Sequence, residues 1–267
     1  MFQTNNGELV KKVVSGLGTF NDEISCRINE DCLWFYVKTP DNTRLIILKL
    51  SKSVFQKYDF KSAQDFRFSG QIIKNALKNI GKDDTLYISF DEKEVEEKKV
   101  FSVIKITISG TKLKKSYEIP LISINVDKED DTTSFINKEP SLIFDSSTKT
   151  NNKEFMNMLD SLIFVDKKDS FSIFLCTDGE NLELKEENPL GKTTITLKDY
   201  FTSPDKIPTQ KIVCKFGYQL LLSIAAYHAS ICDEGEYMIK KDYPIKIVSK
   251  NDDFEAITIL APRVEND

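Results

Sequence analysis

Histidine occurs once in these 267 residues, at His228, beside Tyr227 in an apolar helical pattern. A Ser-His-Asp relay cannot be argued from that context, and a partly buried, hydrogen-bonded imidazole is the expectation. Gly16-Leu17-Gly18 follows a helical pattern instead of a strand and lacks the third glycine of a dinucleotide fingerprint, so it reads as a helix stop. No GxxxxGK[ST] phosphate loop occurs. The acidic runs Glu94 to Glu97 and Asp127 to Asp131 lack the spacing and turn glycine of a calcium loop and read as solvated loops. Cys26, Cys32, Cys176, Cys214 and Cys232 are odd in number and form no CxxC pair, which fits neither a disulfide framework nor a zinc ribbon and points to a reducing compartment. No catalytic residue, cofactor site or metal site is assigned, and the chain does not read as an enzyme. Lysine is the residue type left with chemistry to offer. It supplies 33 of the 37 cations, a point-charge chemistry that suits non-specific contacts better than bidentate readout.

Composition limits where that chemistry can act. Hydrophobic residues make up 40%, charged residues 30% and aromatics 10%, which is the profile of a folded, soluble chain. A net charge of −5 excludes bulk attraction to a polyanion, so any basic surface must be local. The opening MFQTNNGELVKK lacks the apolar run of a signal peptide, and no stretch approaches the roughly 20 apolar residues that span a bilayer.

The elements that would position the lysines follow from periodicity. Leu9, Val10, Val13, Val14 and Leu17 predict an amphipathic helix over 7–17, with Lys11 and Lys12 on its other faces. Strands are expected at 22–28, 33–38 and 44–50. Ile72, Ile73, Ala76, Leu77 and Ile80 make the stripe of a helix over 70–80, leaving Lys74 and Lys78 outward. Strands at 86–90, 100–109 and 116–122 close this half. Residues 123–141 are polar and acidic, the composition of a connector. A comparable order then returns: a helix over 151–163, strands at 171–176, 181–185 and 192–198, a helix over 215–230, and strands at 236–240, 244–248 and 254–260. Two similar α+β domains, 1–122 and 142–267, joined by the connector 123–141, are the expectation.

Five motifs, in order along the chain, resemble the proliferating cell nuclear antigen family of eukaryotic and archaeal sliding clamps. Leu9-Val-Lys-Lys-Val-Val14 matches the first helix with its double lysine, and Leu48 to Tyr58 is similar to the strand followed by a Phe-x-x-Tyr turn. The acidic connector lies between the halves. Asp242-Tyr-Pro-Ile-Lys-Ile247 resembles a strand containing a Pro-Leu pair, and Ile257 to Glu265 resembles the closing strand with its Leu-Ala-Pro tail. The tail is the most specific of the five.

The resemblance implies a clamp fold, with helices lining an inner face and antiparallel sheets outside. It implies a homotrimeric ring around double-stranded DNA, bound without regard to sequence, and a role as processivity factor that tethers DNA polymerase and other proteins carrying short clamp-binding motifs in replication and repair. A clamp loader would open the ring. The protein would act in the nucleus, or in the cytoplasm of an archaeon or a virus-infected cell. The inner-face lysines would be Lys11, Lys12, Lys74, Lys78, Lys149 and Lys153. Leu45, Val126, Pro244, Ile259, Ala261 and Pro262 would line the partner pocket, with Ile259 standing where the family has tyrosine. Strands around Tyr117 and Ile195 would join neighbouring subunits. In the second half Asn157 and Asp160 occupy positions usually basic, and the helix over 215–230 offers only Lys215 and His228. Either that half grips DNA weakly or its helices lie elsewhere. A clamp-like accessory or checkpoint subunit that does not encircle DNA is the alternative reading.

Overall fold

A computed structural model describes residues 1–60, 63–95, 98–122, 142–162, 172–177, 181–188, 191–198 and 212–263. Two compact units result, Met1–Ser141 with Asn251–Ala256, and Leu142–Lys250 with Ile257–Asp267. The stretch 123–141, expected as connector, lies outside the described residues.

In the first unit, β1 (Phe2–Thr4) leads into α1 (Gly7–Leu17), which buries Val10, Val13, Val14 and Leu17 as its spacing dictates. Strands β2 (Glu23–Ile28), β3 (Cys32–Lys38), β4 (Arg44–Ser51), β5 (Lys57–Tyr58) and β6 (Gln64–Ser69) precede α2 (Gly70–Leu77). Strands β7 (Thr85–Val95), β8 (Lys98–Ser109) and β9 (Lys114–Pro120) complete it. The second helix is shorter than expected, and Ile72 departs from its stripe. Ile73, Ala76 and Leu77 face inward, whereas Ile72 is 49% exposed beside the lysine face. The start of α2 is fixed by two oxygens: Ser69 Oγ accepts from the Ile72 N–H at 3.3 Å, and the Asp22 carboxylate accepts from the Gln71 N–H at 2.8 Å. Gly18 does more than stop a helix. Its φ of −64° is open to any residue, but a Cβ built on Gly70 would lie 2.9 Å from Gly18 Cα, so the pair lets the end of α1 meet the start of α2.

The second unit holds β10 (Ser146–Asn151), α3 (Asn152–Asp160), β11 (Ser172–Thr177), β12 (Leu182–Asn188), β13 (Gly191–Leu197), β14 (Ile212–Gly217), α4 (Tyr218–Ile231), β15 (Glu234–Ile239), β16 (Ile245–Lys250) and, from Ile257 on, β17 (Phe254–Leu260). Phe155, Met158, Leu159 and Leu162 are buried, as the sequence predicts. Residues 212–217, partly expected as helix, form a strand instead: Ile212, Cys214 and Phe216 alternate inward, and the helix begins at Tyr218.

Sheet topology exposes the duplication. In the first unit β1-β7-β8-β9 lie side by side, with β5 added outside β1, and a second sheet runs β4-β3-β2-β6. In the second unit the corresponding strands run β10-β15-β16-β17 and β13-β12-β11-β14. Among the described residues each unit therefore has two antiparallel layers and two α-helices in the same chain order. The architecture is α+β, as expected.

Candidate functional site

The first unit carries a cationic helix face. On α1, Lys12 is exposed and Lys11 half-exposed; on α2, Lys74 is exposed, and Lys78 at its C-cap is also exposed. Each projects away from the apolar stripe that holds its helix down. None of the four makes an ion pair among the described residues. Glu8 is the single acidic side chain on the two helices.

The second unit brings together none of its expected cations. Lys149 lies on β10, where its neighbour Thr148 is buried and is the Cα partner of Tyr237, whose ring contacts Phe155 of α3 at 4.7 Å. Side chains alternate along a strand, so exposed Lys149 points from the sheet face opposite the helices. Lys153 is on α3, with its ammonium 3.0 Å from Asp233. Asn157 and Asp160 are exposed beside it. Lys215 belongs to β14, and α4 contains no Asp, Glu, Lys or Arg over its 14 residues.

His228 is fully buried, deeper than the sequence implied. Its Nδ1 shares a hydrogen bond with Ser249 Oγ at 2.8 Å and its Nε2 shares one with Thr258 Oγ1 at 2.8 Å. Asn152 Nδ2 donates to Ser249 Oγ at 3.0 Å and to the Cys232 carbonyl at 2.9 Å, while the Tyr237 hydroxyl donates to Asn152 Oδ1 at 2.7 Å. This satisfied network ties both helices to their sheet. Burial holds the imidazole pKa down at about 3, so it is neutral at pH 7 and offers nothing to an anion. Because the unfolded chain takes up this proton near pH 6.5 and the folded chain only near 3, stability is expected to fall as pH drops through that window, by up to about 1.4 kcal/mol per pH unit. Denaturant melts of the parent and His228→Gln between pH 4 and 7 check this; the variant should show the shallower dependence.

The apolar tail residues are surface features. Pro244, Ile259, Ala261 and Pro262 are half-exposed, whereas Leu260 between them is fully buried. Consecutive strands β16 and β17 are hydrogen-bonded neighbours joined by a three-residue turn, which sets the start of one beside the end of the other and so brings Pro244 near Ala261. The tail is pinned where the Arg263 N–H donates to the Lys215 carbonyl at 2.8 Å. Sequence reasoning missed the aromatic pair beside it. Tyr243 meets Phe144 edge-on at 5.7 Å, with the Lys240 ammonium 5.4 Å from the Tyr243 ring centre. Leu45 is half-buried on β4 in the first unit, and Val126 lies outside the described residues.

Tyr117 and Ile195 both sit on strands that end a sheet among the described residues. Tyr117 on β9 is the Cα partner of Ile106, and Ile195 on β13 is the Cα partner of Leu184. Among the described residues no group of three His, Cys, Asp or Glu side chains is placed to hold a metal, and no helix is long and apolar enough to cross a membrane.

No protein-family description matches the chain, and neither does any curated protein. Solved structures do. PCNA from Thermococcus kodakaraensis superposes with a TM-score of 0.78 at 19% identity, covering 98% of this chain and 99% of that one. A chain of the PCNA2-PCNA3 complex from Sulfolobus tokodaii gives 0.75 at 18% identity, covering 99% of each. The chain therefore has the fold of the PCNA clamps over nearly its whole length.

Proposed function

We propose that this chain is a non-catalytic subunit of a ring-shaped sliding clamp that encircles duplex DNA and tethers a polymerase and other partners to it. The observation that carries the reading is end-to-end agreement with PCNA structures, over 98–99% of both chains. The two halves, 1–122 and 142–267, would be its clamp domains, with 123–141 connecting them. The lysine face on α1 and α2 supports a DNA-facing role, because topological linkage needs only weak phosphate contacts and an acidic protein can supply those locally.

The duplication supports how subunits would join. Within the first unit, Asn251–Ala256 lie along the outer edge of β4, where the Ser51 N–H donates to the Asp253 carbonyl at 2.9 Å. By chain order the counterpart of β4 is β13, and the counterpart of β17 is β9. Edges left without a strand invite pairing, so β9 of one subunit would add to β13 of the next. Solution mass tests this. Three times 30.6 kDa is expected for the parent, and Tyr117→Asp or Ile195→Asp should give the single-chain mass. A parent of 30.6 kDa at working concentration would favour the second reading, a non-encircling accessory subunit, for which the cation-poor helices of the second unit speak.

A further inference from the structure

We propose that the phosphate-contacting surface of this chain is confined to the first unit and continues past its helices, from Lys74 and Lys78 across Lys82 onto Lys112 and Lys115 of the β8–β9 hairpin. This rests on the DNA-clamp reading above, but it assigns residues that neither the periodicity nor the family resemblance picked out.

The continuity comes from the backbone. Lys78 caps α2, the Ile80 N–H donates to the Leu77 carbonyl at 3.1 Å, and the chain turns at once through Gly81-Lys82-Asp83-Asp84, where the Asp84 N–H donates to the Gly81 carbonyl at 3.3 Å. The hairpin tip is docked on this turn. Gly110 closes the tip by donating its N–H to the Leu113 carbonyl at 2.9 Å, and a side chain at Gly110 would collide with the Asp84 carboxylate. Asp84 is in turn held by the Gly81 N–H at 2.8 Å. The loop after α2 and the tip bearing Lys112 are therefore in contact. Lys115 lies a short way along β9 and is the Cα partner of Ile108, which pairs across β7 with Leu86. Ile108 and Leu86 are buried, and the Leu86 Cβ lies 3.6 Å from where a Cβ on Gly7 of α1 would stand. The Lys115 side chain thus leaves the edge strand on the helix-covered face.

Charge favours a polyanion as occupant. Lys82 and Lys112 are exposed, Lys115 is half-exposed, and none makes an ion pair among the described residues. The opposing acids are exposed Asp83 and the engaged Asp84. Among the described residues of the second unit the corresponding surface offers no match: Lys149 points from the other sheet face, Lys153 is paired with Asp233, and α4 is uncharged. The whole sequence follows the same division, with 20 Lys+Arg against 16 Asp+Glu in residues 1–122 and 15 against 21 in residues 142–267. The phosphate backbone of the duplex that passes the helices is the polyanion within reach of a strip continuous with them.

The test is the salt dependence of binding to a labelled blunt DNA duplex, read by fluorescence anisotropy, with the mass of each variant measured in the same buffer. Each lost phosphate contact lowers the slope of log K against log salt by about 0.9. Lys82→Ala with Lys112→Ala and Lys115→Ala should lower it by about 2 to 3, and Lys149→Ala with Lys153→Ala should leave it unchanged. Lys82→Ala alone, outside the proposed subunit edge, should lower it by about 0.9 and keeps the test readable if the hairpin changes alter assembly. An unchanged slope in the Lys82, Lys112 and Lys115 variants, beside a reduced slope when Lys11, Lys12, Lys74 and Lys78 are replaced, would overturn the strip and leave the clamp reading intact. A reduced slope in the Lys149 and Lys153 variant would overturn its confinement. If none of the sets changes the slope, the DNA reading itself fails.

Discussion

Replacing Lys11, Lys12, Lys74 and Lys78 together with alanine is expected to weaken duplex binding at low salt by about a hundredfold and to flatten its salt dependence. Four cations leave the two exposed helix faces, and with each goes about 0.9 in the slope of log K against log salt. Between about 50 and 200 mM salt the parent should lose roughly two orders of magnitude more in affinity than the variant, which keeps the salt dependence of Lys82, Lys112 and Lys115. Folding should be indifferent. The stripes that hold the helices, Val10, Val13, Val14 and Leu17 on α1 and Ile73, Ala76 and Leu77 on α2, are untouched, and exposed charge changes usually cost less than about 0.5 kcal/mol each. Anisotropy titrations at several salt concentrations check the result. A variant with the parent's slope would remove these lysines from the DNA surface.

Pro262→Glu is expected to abolish binding of a peptide that carries a glutamine and an aromatic plug, without changing the oligomer's mass. Pro262 is half-exposed next to Ala261, on a tail whose course is set by the buried side chain of Leu260 and the backbone hydrogen bond from Arg263. The substitution leaves that anchoring in place. A carboxylate covered by an apolar plug loses hydration with no partner to replace it, a cost of several kcal/mol. Since about 1.4 kcal/mol is already tenfold, affinity should fall by at least about a hundredfold. The proposed subunit edges, β9 and β13, lie elsewhere in the chain, so assembly should persist. Calorimetric titration decides the matter; equal affinity in variant and parent would place the partner site away from the tail.

Elements with a clean apolar period were legible in the sequence. Helix α1 and the core of α3 fall where Val10, Val13, Val14, Leu17, Phe155, Met158 and Leu159 put them. Strand β10 was not legible, because Ser146, Ser147 and Thr148 are buried polar residues and periodicity counts only apolar ones. Missing it hid the sheet face on which Lys149 stands. Strand β14 was absorbed into the following helix because Ile212 to Phe216 and Leu220 to Ala225 form one largely apolar stretch, interrupted by Lys215, Gly217, Gln219 and Ser223, which misplaced Lys215 on a helix. Ile72 was drawn into the stripe because it adjoins Ile73, but the buried face of α2 runs through Ile73, Ala76 and Leu77 and leaves Ile72 49% exposed at its edge. The His228 network joins residues up to 97 positions apart, such as Asn152 and Ser249, and no local pattern announces it. The hairpin lysines were invisible as a site for a similar reason: the loop bearing Lys82 and the tip bearing Lys112 are brought together where Asp84 packs against Gly110.

Encirclement is tested most directly by comparing retention on closed and cut DNA. Protein loaded onto a nicked circular duplex, with a loader, is washed at a salt concentration that screens the lysine contacts, and the circle is then linearised. A topological clamp should remain on the circle through the wash and be lost once free ends appear, because only linkage holds it there. Loss from the intact circle at the same rate as from the linear form would contradict the ring and leave a clamp-shaped accessory subunit in its place.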